Sequence, residues 1–488
     1  MSEGFDSVIE VFDAFVEARH APGVAYGVVD HGQLIHAGGA GVTLLDHQTT
    51  TPDENSVFRI ASLTKSFTAA AVLRLRDDGR LSLDDRIVSY VPELISQAMP
   101  TTDSPPLTIR HLLTMSGGLP TDDAWADRQE SMSEEDFAAF LAEGIHFVST
   151  PGTAFEYSNL GFALLGQVIT RIAGRDYRHE VRATLLEPLG LLDTVFAARD
   201  VDPDRLAVGH RPVAGGWVAV PFDRPGVFSA IGGLYSTVAD LARWLGGFTD
   251  AFPPRDDRDD HPLSRATRRE MQQQHRAFRS PSRPPATGTA AVPPSMGYGY
   301  GLFVEEHPSA GPIVRHPGGY PGYGAHMAWS TTSGLGIVAL ANGRYAPVTK
   351  PVTEALHLLL AHQAPPQPAP WPETLQAASD VQRLFAQWDD ALADRIFADN
   401  VDLDLPRQDR RRDFEAAATA AGISATPEPP PAEGGKAMGP AGVLYATPAS
   451  ANWKVEGTAG SAVITIQLTP QRTPKIQSVS IDVTKGNE

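Results

Sequence analysis

"FRIASLTKSFTAAAVLRL", residues 58–75, decides how this chain is read. Lys65 is the only lysine in the first 349 residues, although arginine is used freely throughout. It follows Ser62 by three positions, so on a helix the two side chains share a face and can touch. A serine hydroxyl is a poor nucleophile until something removes its proton. Arginine cannot do so, because its guanidinium stays protonated. Lysine can, if burial or neighbouring cations pull its pKa below the reference of about 10.4. The flanks "FRIAS" and "TAAAVL" are apolar, and none of the other five lysines has a serine three residues before it. Ser62 and Lys65 are therefore candidate nucleophile and base.

Two further stretches carry chemistry. In "PGTAFEYSNLGFALLG", Tyr157 and Asn159 follow a Pro-Gly turn and precede an apolar helix. Such a turn can point both side chains into a cleft. Tyrosine can relay a proton where a cation favours the phenolate, and asparagine offers a donor and an acceptor to an amide. In "IVRHPGGYPGYGAHMAWS", His316 ends a strand-like run ahead of Gly318 and Gly319. Glycines there would let a substrate lie against the strand, with a backbone N–H free for an oxyanion. No strand–turn–helix context follows, so these glycines are not a phosphate loop.

Whole-chain properties exclude several classes. The net charge of −18 argues against nucleic acid and against anionic lipid. The absence of cysteine removes disulfides, thiolate nucleophiles and cysteine-ligated zinc. No cofactor is implied, and "DDRDDH" (256–261) reads as a solvated loop with no recurring ligand spacing for a metal. The first twenty residues read as an amphipathic helix with no secretory signal, and no apolar run is long enough to span a bilayer. A cytoplasmic location is expected, unless an exporting segment precedes the chain.

At 488 residues the prior is one large domain and a smaller one. Helical periodicity marks residues 5–20, and "GVAYGVVDHGQLIHAGGAG" reads as a hairpin. Helices are predicted after Ser62 as far as Gly79, then at 108–115, 133–143 and 158–174, with one more in "GGLYSTVADLARWLGGF". Residues 251–295, rich in Pro, Arg and Asp, read as a mobile excursion around a short helix at 264–275. Strand signals resume over 299–343, before a helix at about 348–362. Strands at both ends with helices between predict one antiparallel sheet with a helical region inserted in it, an α+β fold. Residues 362–373 read as a Pro-rich linker. Beyond it a long amphipathic helix from Leu375 to Ile396 and two alternating strands predict a small α+β domain over 374–488.

Taken in order, Ser62-x-x-Lys65, Tyr157-x-Asn159 and His316-x-Gly318 resemble the serine β-lactamase and penicillin-binding protein superfamily. Within it they are similar to the class C β-lactamase branch, with its D-aminopeptidase, DD-carboxypeptidase and esterase relatives. "LTIRHLLTMSGGLP", "LLEPLGLLDT" and "GGLYSTVADLARWL" are similar to that family's connecting segments, and the resemblance covers about residues 8–362. It implies an antiparallel sheet of five or more strands flanked by helices, an all-helical subdomain beside it, and an active site at their junction. It also implies acyl transfer. Ser62 attacks a carbonyl, Lys65 and Tyr157 share the base role, Asn159 orients the scissile bond, and the N–H groups of Ser62 and Gly319 hold the oxyanion. Water activated by Tyr157 then releases the acyl-enzyme.

One departure bears on substrate. The third motif begins with His316 where β-lactamases place lysine, and histidine is mostly neutral at pH 7. This favours small esters, or D-amino-acid amides and short peptides, over substrates bound by a carboxylate. The alternatives are a DD-carboxypeptidase or weak β-lactamase, and a non-catalytic sensor acylated at Ser62. The pentapeptide G-x-S-x-G of α/β-hydrolases is nowhere in the chain. Homo-oligomerisation is left open.

Overall fold

The computed structural model of the chain describes residues 2–45, 50–278, 295–307, 310–361, 368–423 and 442–485. They fall into two units, Met1–Ala364 and Pro365–Glu488. In the first, helix α1 (Ser2–Glu17) leads into strands β1 (Gly23–Asp30) and β2 (Gln33–Gly41). The chain then leaves the sheet for helices α2 (Thr64–Asp77), α3 (Asn159–Ala173) and α4 (Val238–Thr249), with shorter helical pieces between. It returns through β3 (Arg276–Phe278), β4 (Met296–Tyr298), β5 (Phe303–His307), β6 (Gly311–Tyr320), β7 (Tyr323–Ser330) and β8 (Leu335–Ala341), and closes with α5 (Thr349–Leu360).

These strands form one antiparallel sheet in the order β2-β1-β8-β7-β6-β5-β4-β3. Its middle is covered on both faces, which is why β1 and β8 read as nearly continuous apolar runs. On β1, Val24, Tyr26 and Val28 face α1 and α5, and Phe12 of α1 stacks on Tyr26 with centroids 4.2 Å apart. Ala25 and Val29 face the other way, towards the core shared with α4. The single sheet interrupted by helices is the architecture the strand and helix order predicted.

Helix α2 runs through that core and is buried on every side from Thr64 to Leu73. Its Ala-rich sequence lets neighbouring helices close in, and Gly79, at φ +71°, lies just past its end. The segment leading into it is fixed by Arg59, only 2% exposed. The Arg59 guanidinium donates to Glu130 at 2.8 Å and to the Gly232 carbonyl at 3.0 Å, and lies 3.6 Å from the Tyr320 ring centroid. Phe58 and Arg59 also pair with Ser236 and Tyr235 as a two-residue ladder.

The structure differs from the sequence reading at three places. Residues 261–278 pack against the unit where a mobile excursion was expected, while 253–258 are exposed. Arg268 is buried and donates to Asp259 at 2.7 Å, while Arg265 donates to the Asp257 carbonyl at 2.8 Å. Asp257 and Asp259 of "DDRDDH" thus answer buried arginines, Asp260 pairs with the exposed Arg258, and residues 276–278 join the sheet; residues 279–294 lie outside the described ones. In the second unit, the predicted long helix is two, α6 (Pro372–Ala386) and α7 (Asp390–Ile396), because Gln387 is extended and Asp389 caps a new start. They are followed by α8 (Asp399–Asp404) and α9 (Arg407–Ala421). A strand not anticipated, β9 (Ser450–Glu456), pairs with β10 (Gly460–Leu468), which also pairs with β11 (Ile476–Lys485). This unit has its own core around Trp453, Ile464, Phe385 and Phe414. Of the Pro-rich stretch, residues 362–367 lie outside the described ones, and Pro372 already begins α6. Among the described residues no helix is long and apolar enough to cross a membrane.

Removing one partner of a buried ion pair strands the other charge, at a cost of about 3–5 kcal/mol. Arg59→Ala and Glu130→Ala are each expected to lower the stability of the first unit by that order, read from urea unfolding. Losses under about 1 kcal/mol, as for an exposed pair, would contradict the burial described here.

Candidate active site

Ser62 sits in a single 3-10 turn, Ala61–Leu63, that runs directly into α2. Ala61, just before it, adopts φ +48°, a left-handed conformation that side chains other than glycine seldom take. The turn is held by packing, since Ala61 is fully buried and lies against Gly232. Lys65 is in the first turn of α2, and its ammonium donates to Ser62 Oγ at 2.9 Å and to the Ile231 carbonyl at 2.9 Å. The helix therefore delivers the contact that the i, i+3 spacing predicted.

Lys65 is wholly buried and lies 5.1 Å from the Tyr157 ring centroid and 5.8 Å from that of Phe162. Burial lowers its pKa to about 8, against the pull of Asp123, Asp127 and Asp122, which favour the charged form. These three carboxylates come from "DDAWAD" (122–127), a segment the sequence reading passed over. Asp127 is itself pushed up to about 6, chiefly by burial, with the Tyr345 hydroxyl and Lys65 opposing.

Tyr157 sits beside Ser62, and hydrogen bonding with Ser62 favours its phenolate. Burial, with Tyr298 and Asp123 nearby, wins and raises its pKa well above 10. It is a neutral phenol here, contrary to the phenolate relay considered from sequence. Asn159 opens α3 and is fully buried, with Ser158 as the N-cap. Its Nδ2 donates to Asp122 at 3.2 Å and to Asp123 at 2.7 Å, while Asp122 also accepts from the backbone N–H of Asn159 and Leu160. The amide nitrogen is thus committed to the protein, and Oδ1 has no partner.

The third motif lies on β6. Its strand neighbour β5 pairs only with Gly311–Arg315, so residues 316–320 have a strand partner on the β7 side alone among the described pairs. The open edge lies against the Ser62 turn. A Cβ on Gly318 would sit 2.5 Å from the Ile60 carbonyl oxygen, and one on Gly319 would sit 2.9 Å from the Tyr345 ring. A side chain at either position would meet Ile60 or Tyr345, so only glycine fits there. His316 is fully buried, with Nδ1 2.6 Å from the Pro317 carbonyl and Nε2 3.2 Å from the Tyr298 hydroxyl. A carbonyl only accepts, so Nδ1 carries the proton and Nε2 accepts from Tyr298. Burial first, then Lys65, lowers its pKa to about 3. His316 is a neutral wall of the site with both ring nitrogens occupied.

The fold and these three converging segments define a serine hydrolase framework of the β-lactamase and penicillin-binding protein kind. The family model described as Beta-lactamase matches residues 8–362, and the chain belongs to that family. It is 26% identical over 344 residues to the protein flp of Staphylococcus aureus (strain COL), covering 68% of this chain. The chain spans 62% of that protein's length. It is 27% identical over 391 residues to the esterase EstB of Burkholderia gladioli, covering 71% of this chain and 92% of the esterase. In fold it is similar to the octameric penicillin-binding protein homologue from Pyrococcus abyssi, with a TM-score of 0.62 at 20% identity, over 99% of this chain and 96% of that one.

The lysine Cε NMR signals of this six-lysine chain are expected to show one group, Lys65, titrating near 8, below the lysine reference of about 10.4. Asp123→Asn removes the largest influence holding that proton, so the Lys65 midpoint is expected below 8. A midpoint near the reference of about 10.4 would contradict the burial of Lys65.

Proposed function

We propose that this chain is a serine hydrolase that forms an acyl-enzyme on Ser62 and acts on small esters or on D-amino-acid amides and short peptides. The observation that carries the reading is the 2.9 Å contact from Lys65 to Ser62, made by an ammonium whose pKa burial has brought to about 8. Of the two candidate bases, Lys65 is the easier to deprotonate, since the Tyr157 phenol lies well above 10. Neutral Lys65 takes the Ser62 proton as the serine oxygen attacks the substrate carbonyl. The oxyanion is held by the N–H groups of Ser62 and Gly319. Tyr157, between Ser62 and the leaving group, passes it a proton that Lys65 replaces. In the second half the same pair takes a proton from water, which attacks the acyl carbon and frees Ser62. Asn159 Oδ1, buried and without a partner, is the acceptor for a substrate N–H.

The substrate class follows from charge. His316 is neutral, Arg59 is matched by Glu130, and the carboxylates of Asp122, Asp123 and Asp127 surround Lys65. Beside Ser62 itself a substrate carboxylate thus meets no unmatched cation, which weighs against the carboxypeptidase and β-lactamase alternative; Arg344, against the Tyr345 ring, is a cation further out. An esterase among the relatives supports the same side.

Assaying a p-nitrophenyl ester beside a chromogenic cephalosporin, with intact mass of the adduct, separates the readings. Rapid ester turnover is expected; cephalosporin turnover would favour the alternative, and a stable adduct without turnover the sensor. Ser62→Ala should lower ester kcat/KM by at least ~10³, and an unaffected rate would discard the assignment. Lys65→Arg should cost ~10²–10⁴, because arginine cannot accept the proton. The reactive form is neutral Lys65, so kcat/KM should rise with pH up to about 8 and level off above it. A profile flat from pH 6 to 9 would exclude Lys65 as the base. His316→Lys should improve substrates that bear a carboxylate, and no such shift would mean that this position does not face the carboxylate.

A further inference from the structure

Tyr345 belongs to none of the three motifs. It lies in the connection between β8 and α5, at φ +45°, where a bulky side chain is uncommon. Its backbone N–H donates to the Tyr320 carbonyl at 3.1 Å, which ties its base to the end of β6. Its ring covers Gly319, with Cδ1 2.9 Å from where a Cβ on that glycine would sit. Its hydroxyl donates to Asp127 at 2.9 Å. Asp127 follows the short helix Asp123–Ala126, on the far side of the cleft, and interacts electrostatically with Lys65. The residue is 36% exposed, so one side of the ring faces out. The Arg344 guanidinium lies 5.4 Å from the ring centroid. A tyrosine fixed at its base by the sheet and at its tip by a buried carboxylate crosses from one lip of the site to the other.

The geometry points to Tyr345 as a specificity-determining residue, an aromatic bar across the mouth of the Ser62 site that limits the bulk of the substrate's acyl group. The inference rests on the acyl-enzyme reading above. A carbonyl held at the Ser62 and Gly319 N–H groups directs its substituents out between β6 and the 122–127 segment, the two elements Tyr345 bridges. Short acyl chains pass beneath the ring, and long or branched ones meet it. The bond to Asp127 holds the tip of the ring down across the cleft.

The test compares kcat/KM for p-nitrophenyl acetate, butyrate and octanoate in the full chain. Tyr345→Gly deletes the ring and suits φ +45°, so the backbone strain is relieved. It is expected to raise the octanoate-to-acetate ratio by ~10-fold or more, the scale on which a pocket wall discriminates acyl bulk. Tyr345→Phe keeps the ring and frees its tip, so the ratio should rise less, by at least ~2-fold. An unmoved ratio in Tyr345→Gly overturns the proposal. If that variant fails to fold, Tyr345→Phe decides, and an unmoved ratio there overturns it equally. Ser62→Ala run alongside keeps the two claims apart. Turnover surviving that change sinks the acyl-enzyme reading, whereas a dead Ser62 variant with an unmoved ratio sinks only the role of Tyr345.

Discussion

The first unit is organised around keeping one ammonium group away from water. Charge is disfavoured in such a place, and a lysine there gives up its proton far more readily than one on the surface. Helix α2 imposes the burial, because it is enclosed on every side from Thr64 to Leu73 and Lys65 enters the core with its first turn. What meets the ammonium is a hydroxyl and a main-chain carbonyl, both weak partners beside a carboxylate. Three aspartates lie near enough to favour the charged form and leave its pKa at about 8. A direct ion pair would have held the proton more firmly, and no desolvation would have left it near about 10.4.

Much of the surrounding structure serves that balance. The carbonyl that receives the second ammonium hydrogen bond belongs to Ile231, next to the Gly232 carbonyl gripped by Arg59. Glu130 completes the grip, accepting from Arg59 on one oxygen and from Ser229 on the other. The segment before the serine and the segment beneath the lysine are thus bound by one buried pair. Asp122 does comparable work at α3, holding the two backbone N–H groups at the helix start beside which Tyr157 and Asn159 stand.

Several of these features were legible in the chain itself. The i, i+3 spacing of Ser62 and Lys65 needs only helical geometry, and Ser133, Ser158 and Thr237 cap helices where a capping residue precedes an apolar run. Asp122, Asp123, Asp127 and Tyr345 could not be found that way. They lie far from Lys65 in sequence, and no periodicity links a carboxylate on one segment to an amine on another. The arginine-rich stretch differs for a related reason: Arg265 and Arg268, which read as solvated, become buried once they meet Asp257 and Asp259. The break at Gln387 was hidden because the apolar positions on both sides keep one helical pattern.

Local chemistry therefore determined which residues could react and which segments were helix or strand, because spacing, capping and alternation act over a few residues. Only the folded chain decided the state of those residues. The lowered pKa values of His316 and Lys65 and the raised one of Tyr157 come from burial and from charges contributed by distant segments. Desolvation depends on what surrounds a group in space, and a chain read one residue at a time does not record it.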